Sequence, residues 1–331
     1  MKALLHNREL VLALILVIGM LAIGAYQPAF LAWGNIADML TETSVLFMMA
    51  LAQMVVILTR GIDLSVAANL ALSGMIAALV SQYYPEVPLI LMILAGIATG
   101  LLLGMINGAL IAYLGIPPIV VTLGTLAIFR GMIIIIAGGD QVNASEMGVA
   151  FQAFPKQVWL GLTSPVWIAI AVALLFWVFL SFTRAGRGLY AVGGNPVAAR
   201  YCGIDLPRQQ LLVFTLSGAV AGLCGYLWVA RFGIAYTEIA LGYELSVIAA
   251  CVIGGVSIGG GIGSVTGTLL GALFLGVVVN ALPVIQVSPF WQMAISGAVI
   301  LGAVVVNARA EKQGGKLILP EARRAAAGGR S

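Results

Sequence analysis

The sequence predicts an all-α membrane protein with about ten transmembrane helices. Of its 331 residues, 62% are hydrophobic and only 8% are charged, and the mean hydropathy is +1.11. Because a charged side chain is costly in hydrocarbon, this composition is typical of a chain that lies within lipid. Long runs without any charge, such as 10–37 and 245–308, separate the few charged residues. These runs indicate where helices cross the bilayer.

The uncharged runs divide into ten predicted spans. A helix needs about 20 apolar residues to cross the hydrocarbon, so the longest runs must each hold two or more spans. The predicted spans are 10–26, 42–60, 64–83, 88–112, 117–137, 164–182, 210–231, 241–258, 263–283 and 289–307. Residues 1–308 then form one transmembrane domain, and the basic tail 309–331 is predicted to be disordered.

Basic residues predict the orientation of the chain, because cytoplasmic loops carry an excess of Lys and Arg. With ten spans and both termini in the cytoplasm, the arginine-rich segment 183–208 and the basic tail both lie inside. Lys156 is then the only basic residue in an outside loop. A count changed by one would place one of those two basic segments on the wrong side. Eight or nine spans remain open because two segments look broken.

Glycine, at 41 residues, is the second structural signal. It recurs every four residues from Gly96 to Gly108 in the fourth span and from Gly263 to Gly271 in the ninth. Small residues at this spacing let helix backbones approach closely in lipid. Tight packing is the favoured interpretation, and a moving gate is the alternative.

Two further patterns indicate an inverted repeat and broken or re-entrant segments. Residues 61–66 (GIDLSV) resemble residues 242–247 (GYELSV), and in the predicted topology these motifs begin spans of opposite direction. Inverted repeats often place a substrate path at their interface. Helix breakers occur at 115–118 and at 254–261. Unwound backbone at membrane depth needs cover from protein or a wet cavity, so both are candidates for a translocation path. A simple cytoplasmic turn explains the second equally well.

The sequence argues against an enzyme. Residues 255–259 spell G-x-S-x-G, the serine-hydrolase motif, but the only histidine is His6, near the N-terminus, and no lysine falls in a predicted span. Zinc ligands are lacking, and no G-x-x-x-x-G-K-[ST] motif is present to bind nucleotide. We therefore expect no catalysis, no metal, no cofactor and no nucleic-acid binding.

Polar residues within the spans are the candidates for a translocation path. Most are neutral, which suits an uncharged polyhydroxyl solute better than an ion or a proton. The candidates are Gln53, Asp63, Ser65, Asn69, Asn107, Thr122, Arg130, Glu244, Ser246 and Asn280. Asp63 and Glu244 lie at span ends beside glycine, where helix capping is favoured over solute contact. For Arg130, structural pairing and solute contact are equally open.

Several ordered motifs resemble those of one transporter family. Residues 59–66 are similar to its G-G-I-D-L-S-V-G motif, except that Arg60 and Ala67 replace the first and last glycines. The other matching segments are 122–125 with 130–131, 186–187, 191–196, 198–200, 248–255 and 267–271. Together they cover nearly the whole chain. They resemble the permease subunits of ATP-binding-cassette monosaccharide importers of the ribose type.

The resemblance implies a function for segment 183–208. It would be a coupling loop, with a short helix around Pro196–Cys202, seated in a groove of a separate cytoplasmic ATPase. The implied coupling residues are Arg184, Gly186, Arg187, Gly193, Gly194, Asn195, Pro196, Ala199 and Arg200. The residues themselves also favour a helix here, because Asn195 is a good N-cap and Ala-Ala-Arg follows it. A solvated loop without a partner is the alternative.

The resemblance also implies partners and a location in the bacterial inner membrane. A periplasmic sugar-binding protein would face the outside acids, including Glu238, and a second permease copy or a close relative would complete the path. Transport would proceed by alternating access. Rhamnose is preferred on general similarity alone, with ribose, other pentoses and sugars of the autoinducer-2 type also open. The alternative functions are an ion-coupled secondary sugar transporter and an intramembrane enzyme.

Overall fold

The computed structural model describes residues 8–284, 287–288, 291, 294, 297–298 and 301–302. In this part of the chain, eight helices are long and apolar enough to cross a membrane. They are α1 (Arg8–Tyr26), α2 (Trp33–Leu58), α3 (Val66–Tyr83), α4 (Leu89–Leu114), α5 (Pro118–Ala137), α7 (Ser164–Phe182), α10 (Leu206–Phe232) and α12 (Val265–Val284). The predicted all-α membrane fold is confirmed.

Shorter elements connect the long helices. The short helices are α6 (Val149–Ala153), α8 (Arg184–Gly194), α9 (Pro196–Tyr201) and α11 (Tyr243–Ile253), and 3-10 turns occupy Pro28–Leu31, Ala144–Glu146 and Phe154–Lys156. Four two-residue strands, which the sequence did not predict, form two antiparallel pairs. β1 (Val142–Asn143) pairs with β4 (Ile234–Ala235), and β2 (Val158–Trp159) pairs with β3 (Leu162–Thr163). The first pair ties the α5–α7 connection to the α10–α11 connection.

The first seven predicted spans and the ninth each coincide with a long helix. The second helix differs most from its prediction, because α2 begins at Trp33 and includes Asp38 and Glu42. A helix continues past the hydrocarbon wherever its backbone hydrogen bonds can continue, so charge marks the lipid boundary and not the helix end. Most of the tenth predicted span, all of the tail 309–331 and His6 lie outside the described residues.

The two predicted breakers behave differently. Residues 115–118 form a tight turn between two complete helices, with Gly115 at φ +67° ending α4 and Pro118 at the first position of α5. They are therefore not unwound backbone within a span. The second breaker forms the non-helical connection between α11 and α12, which both interpretations of it require. α11 has only 11 residues, and the chain continues without helix from 254 to 264.

Glycines bring α4 and α10 into direct backbone contact. A Cβ atom at Gly100 would collide with the carbonyl oxygen of Gly218, and one at Gly104 would collide with that of Phe214. Close approach of this kind drives helix association where lipid removes the hydrophobic driving force. The packing role predicted for the glycines of the fourth span is confirmed.

The ninth span follows the same rule with one correction. A Cβ atom at Gly267 or Gly271 would collide with the α11 backbone, at the carbonyl oxygens of Gly254 and Ala250. Gly263, however, precedes α12 and lies in the loop. α2 lies at the centre of the bundle, with 83% of its apolar window buried, whereas α1 has only 11% of its window buried. An exposed apolar helix such as α1 is suited to face lipid.

Candidate coupling and translocation sites

Helices α8 and α9 form a compact pair after α7. The Thr183 hydroxyl accepts a hydrogen bond from the Gly186 N–H at 2.9 Å and caps α8. The Asn195 side-chain oxygen accepts from the N–H groups of Val197 and Ala198, at 3.1 and 3.0 Å, and caps α9. The short helix predicted around Pro196–Cys202 is therefore present, with Cys202 as its C-cap. Caps of this kind hold even a six-residue helix in place.

The outer face of this pair is unusually exposed. Arg184, Arg187 and Arg200 are all exposed, and so are two apolar residues of α9, Val197 at 65% and Tyr201 at 89%. An exposed apolar pair surrounded by cations is typical of a protein contact surface. Sequence reasoning named the arginines but missed Val197 and Tyr201. Their spacing of four residues on a short capped helix was the available signal.

The other residues predicted for coupling are divided between the buried and the exposed side of the pair. Gly186, Gly193 and Ala199 are buried, whereas Gly194 and Asn195 are exposed and Pro196 is half-buried. A Cβ atom at Gly186 would collide with the α7 backbone, and one at Gly193 would collide with the carbonyl oxygen of Leu58. These glycines therefore seat α8 against the transmembrane helices, and they are not part of its exposed face.

Arg60 connects α8 to the α2–α3 turn. Its Nε donates to the Gly193 carbonyl oxygen at 2.7 Å, and its Nη2 donates to the Gly194 carbonyl oxygen at 2.9 Å. These carbonyls end α8 and have no partner within the helix, so the guanidinium caps its C-terminus. Arg60 itself has φ +65°, in the left-handed region where glycine is favoured. Arg60 is also the residue that replaces the first glycine of the G-G-I-D-L-S-V-G motif in this chain.

The α11–α12 loop joins the same junction. The Gly261 N–H donates to the Leu58 carbonyl oxygen at 3.0 Å, and the Tyr190 hydroxyl donates to the Gly263 carbonyl oxygen, also at 3.0 Å. The broken segment therefore rests on α8 and on the end of α2. Because Tyr190 of α8 is bonded to Gly263, a displacement of α8 would also displace this loop.

A buried polar network follows Arg60 along the chain. The Asp63 carboxylate accepts from the Ser65 N–H at 2.9 Å and from the Ser65 hydroxyl at 2.7 Å, and the Asn107 amide donates to that hydroxyl at 2.8 Å. Burial raises the pKa of Asp63 to about 6, against the opposing effect of the Ser65 hydrogen bonds. The carboxylate thus orders the turn before α3, and it accepts from the N-cap residue Ser65 and not from an N–H within the helix, so the expected helix cap is not formed.

Two more predicted path residues belong to the packing around this network. The Asn69 amide donates to the Gly100 carbonyl oxygen at 3.1 Å and its oxygen accepts from Ser73. The Thr122 hydroxyl lies within hydrogen-bond distance of the carbonyl oxygens of Ile62 and Pro118. The Asn69 and Thr122 groups are buried and bonded, so in this conformation they hold helices together, whereas the Asn107 side-chain oxygen has no partner among the described residues.

Gln53 is different. It is fully buried in α2, and neither its amide nitrogen nor its amide oxygen has a partner among the described residues. An unsatisfied buried polar group costs about 1–3 kcal/mol. In native structures such a group is usually explained by a functional role or by a bound water or ion.

Arg130 is held by the chain itself. Its Nη1 donates to the carbonyl oxygens of Thr237 and Ile239, at 2.6 and 2.7 Å, and Glu244 and Glu238 lie near enough to interact with its charge. The structural alternative for Arg130 therefore describes this conformation. Glu244 lies in the first turn of α11, where its charge is favourable beside the helix N-terminus.

Ser246 and Asn280 meet in a cleft of about 340 Å³ between α2, α10, α11 and α12. We call it the Trp228 cleft, after the aromatic residue on its α10 side. Sequence reasoning did not predict its other polar and aromatic lining residues, Glu42, Thr43, Arg231, Phe232 and Tyr243. They come from α2, α10 and α11, and only the tertiary fold brings them together. No group of metal-binding side chains occurs among the described residues.

Comparison with known proteins decides the family. Residues 35–304 match the family described as branched-chain amino acid transport system / permease component. The chain belongs to this permease family. Over 308 residues it is 38% identical to the ribose import permease protein RbsC of Escherichia coli K12, which covers 92% of the chain and 95% of the relative.

Other relatives of the permease carry different substrates in their names. It is 36% identical over 285 residues to the D-allose transport system permease protein AlsC of Escherichia coli K12, covering 86% of each chain. It is 32% identical over 309 residues to the autoinducer 2 import system permease protein LsrC of Salmonella typhi, covering 93% of the chain and 88% of the relative. No solved structure matches the permease.

Proposed function

We propose that the permease is the membrane subunit of an ATP-driven importer and moves a monosaccharide inward across the bacterial inner membrane by alternating access. Its family and the sugars in its relatives' names support the substrate class. The observation that carries the coupling role is the α8–α9 pair, which presents an exposed cationic and apolar face while its buried side is fixed to α2 and the α11–α12 loop.

The energy for transport would come from a separate ATPase subunit. The chain contains no phosphate-binding motif of its own, so it needs an external source of work. Val197 and Tyr201 are suited to enter a groove of the ATPase, and Arg184, Arg187 and Arg200 are suited to pair with acidic groups around it.

The motion of α8 has a direct route into the membrane domain. Arg60 holds the end of α8, and Gly261 and Gly263 connect the same junction to the loop that separates α11 from α12. A non-helical connection between two helices moves more easily than a continuous helix does. We infer that α11 and its loop change position as the path opens alternately to each side.

The remaining partners follow from the proposed function. A sugar-binding protein would deliver solute to the outer loops, where Asp140 and Glu238 line a second, open cleft. A second copy of the permease, or a paralogue, would complete the path. The cargo is a monosaccharide, and the identity of the sugar is set chiefly by the delivering protein.

Charge reversal on α8 and α9 tests the coupling role. We expect Arg184→Glu, Arg187→Glu and Arg200→Glu together to abolish sugar uptake and co-purification of the ATPase, because the cationic face would repel its partner. Membrane insertion should stay intact, since all three side chains are exposed. The matched control is Lys156→Glu, another exposed cation, in the α5–α7 connection. Normal uptake by the triple variant would refute the coupling role.

The ion-coupled alternative gives an opposite result. A secondary transporter would import sugar without an ATPase and would stop when an ionophore removes the ion gradient. We expect uptake to follow ATP and the ATPase subunit, and to continue in the presence of an ionophore while ATP is supplied. The buried acid that a proton relay would need, Asp63, is bonded to Ser65 in the turn before α3.

A further inference from the structure

We propose that the Trp228 cleft binds the transported sugar directly and forms the outer part of the path through the permease. This inference rests on the proposed function for the class of cargo. It assigns that cargo a site on this chain, in addition to the one on the delivering protein. The cleft volume of about 340 Å³ lies at the lower end of the roughly 300–1,000 Å³ range of small-molecule sites.

The aromatic side of the cleft suits a sugar ring. Trp228 and Tyr243 both line it, with ring centroids 5.2 Å apart and planes at 75°. A pyranose or furanose ring presents C–H groups on its faces, and these pack against the flat surface of an aromatic ring. Leu46 and Leu275 extend the apolar surface. The cleft therefore offers the apolar wall that a polyhydroxyl ring needs in addition to hydrogen bonds.

Hydrogen-bonding groups line the remaining sides. The Asn280 amide nitrogen already donates to the Gly276 carbonyl oxygen at 2.9 Å, which leaves its side-chain oxygen as an acceptor. The Ser246 hydroxyl has no hydrogen-bond partner among the described residues. These two groups come from α12 and α11 and converge on the same cleft. An acceptor and a hydroxyl placed in this way match the hydroxyl groups of a sugar.

Charge in the cleft is balanced, which selects against ions. Arg231 and Glu42 form an ion pair at 3.3 Å, and Arg231 also donates to the Thr41 carbonyl oxygen at 2.9 Å. The Glu42 side chain is 52% exposed, so its carboxylate can still accept hydrogen bonds. A neutral pair of this kind favours an uncharged ligand with many hydroxyl groups over a free cation or anion.

Gln53 gives the direction of the path. Leu46 lines the cleft, and Gln53 lies seven residues further along α2, which is two turns and about 10 Å on the same helix face. It is fully buried and its amide has no partner among the described residues. Deepening of the cleft along this face would bring a sugar hydroxyl to the unpaired amide. The open cleft and the buried Gln53 amide thus lie on the same face of α2.

A third cleft, lined only by apolar side chains, contrasts with the Trp228 cleft. It has about 260 Å³, lies between α2, α7 and α12, and is lined by apolar residues such as Phe47, Ala173 and Leu270. Such a surface suits a lipid acyl chain and offers no hydrogen bonds to a sugar. It therefore provides a matched control position on the same protein.

Protection of an introduced cysteine tests the proposal. The experiment uses the full-length chain with the substitution Cys202→Ser. This substitution removes the exposed thiol and leaves only the buried Cys224 and Cys251. Ser246→Cys is then labelled in membrane vesicles with a membrane-impermeant thiol reagent, in the presence of D-ribose, D-allose, D-galactose or L-rhamnose. We expect one sugar to slow labelling about tenfold when its concentration is about ten times its Kd, because labelling needs the empty cleft.

The control outcomes separate this proposal from its alternatives. Glycerol at equal concentration should give no protection, and Ala173→Cys in the apolar cleft should be unaffected by any sugar. Failure of all four sugars to protect the cysteine introduced by Ser246→Cys, or equal protection by glycerol, would overturn the proposal. So would labelling of that cysteine only from the cytoplasmic face.

Uptake measurements distinguish failure of this proposal from failure of the proposed function. In the complete importer, we expect Asn280→Ala and Gln53→Met each to lower uptake at least about tenfold, the effect of losing about 1.4 kcal/mol of binding along the path. Membrane levels should be unchanged, because Gln53→Met removes unsatisfied polar atoms at similar volume. Wild-type uptake in both variants overturns the cleft alone, whereas absence of ATP-dependent uptake in the wild type overturns the proposed function.

Discussion

At the scale of single residues, Asp63 is a buried acid whose carboxylate is bonded within the protein. It is 2% exposed and lies in the turn between α2 and α3, where two Ser65 groups donate to its carboxylate. Burial disfavours the charged carboxylate, and its pKa rises from 3.8 to about 6. Protonation of this group is therefore linked to the stability of the fold.

Because the folded pKa lies above the unfolded value, folding takes up a proton between about pH 4 and pH 6. Stability falls as the pH rises through this window, by an amount on the order of 3 kcal/mol, and stays lower above it. Asp63→Asn keeps the acceptor oxygen and removes the charge, so it should abolish this dependence.

Thermal unfolding of the purified permease measures the effect. We expect wild type to unfold at a lower temperature at about pH 7.5 than at about pH 5, and Asp63→Asn to show little difference between the two. Asp140→Asn, at an exposed acid, is the control and should retain the wild-type dependence. An unchanged pH dependence in Asp63→Asn would show that another group is responsible.

At the scale of elements, the contact between α4 and α10 explains why the glycine pattern was informative. The spacing of glycines in the sequence predicted a close helix contact, and α10 supplies the facing Gly218 and Gly222. The partner helix could not be predicted, because a small-residue face specifies a close neighbour without saying which one.

Alanine at Gly100 tests this contact. Its Cβ would collide with backbone atoms of Gly218 and Gly222, and backbone cannot move aside as a flexible side chain can. We expect Gly100→Ala to cost about 1–3 kcal/mol through overpacking. It should reduce the yield of monodisperse protein and lower the unfolding temperature. Gly124→Ala is the matched control, because its Cβ meets nothing within 4 Å. Equal behaviour of the two variants would contradict the packing role.

The junction of α2, α8 and the α11–α12 loop could be predicted only in part. Asn195 and the residues after it predicted the short helix correctly, because capping is local. The contact of Arg60 with Gly193 and Gly194 joins residues more than 130 positions apart, which no local pattern specifies. The sequence showed that Arg60 stands where a glycine is usual, and the structure supplies the reason for a long cationic side chain.

Two substitutions separate the two properties of Arg60. Arg60→Gly removes the hydrogen bonds and relieves the left-handed backbone, whereas Arg60→Ala removes the hydrogen bonds and keeps the strain. We expect the alanine variant to be less stable than the glycine variant by about 1 kcal/mol. Hydrogen exchange at the C-terminal turn of α8 should be faster than wild type in both. An alanine variant as stable as the glycine variant would exclude backbone strain at this position.

At the scale of the whole molecule, composition and charge spacing predicted most of the membrane domain. Runs without charge located α1 to α5, α7, α10 and α12, because the bilayer imposes a minimum apolar length. The Trp228 cleft could not be predicted in the same way. Glu42 begins the predicted span 42–60 and Arg231 ends the predicted span 210–231. They form an ion pair between α2 and α10 only in the folded chain.

Orientation in the membrane remains a prediction, and the chain carries its own probe for it. Of its three cysteines, Cys224 and Cys251 are buried, and Cys202 is exposed directly after α9. If the α8–α9 pair meets a cytoplasmic ATPase, Cys202 lies on the cytoplasmic side. We expect an impermeant thiol reagent to label the wild-type permease in inside-out vesicles and not in right-side-out vesicles.

A second position makes the orientation test reciprocal. Ser145 is exposed in the α5–α7 connection, at the opposite end of the bundle in the predicted topology. In a Cys202→Ser background, Ser145→Cys should be labelled only in right-side-out vesicles. Labelling of Cys202 from the outside would reverse the orientation and place the α8–α9 pair on the wrong side for an ATPase. Because the coupling surface and the Trp228 cleft lie at opposite ends of α10, the same result would also reverse the side from which sugar enters.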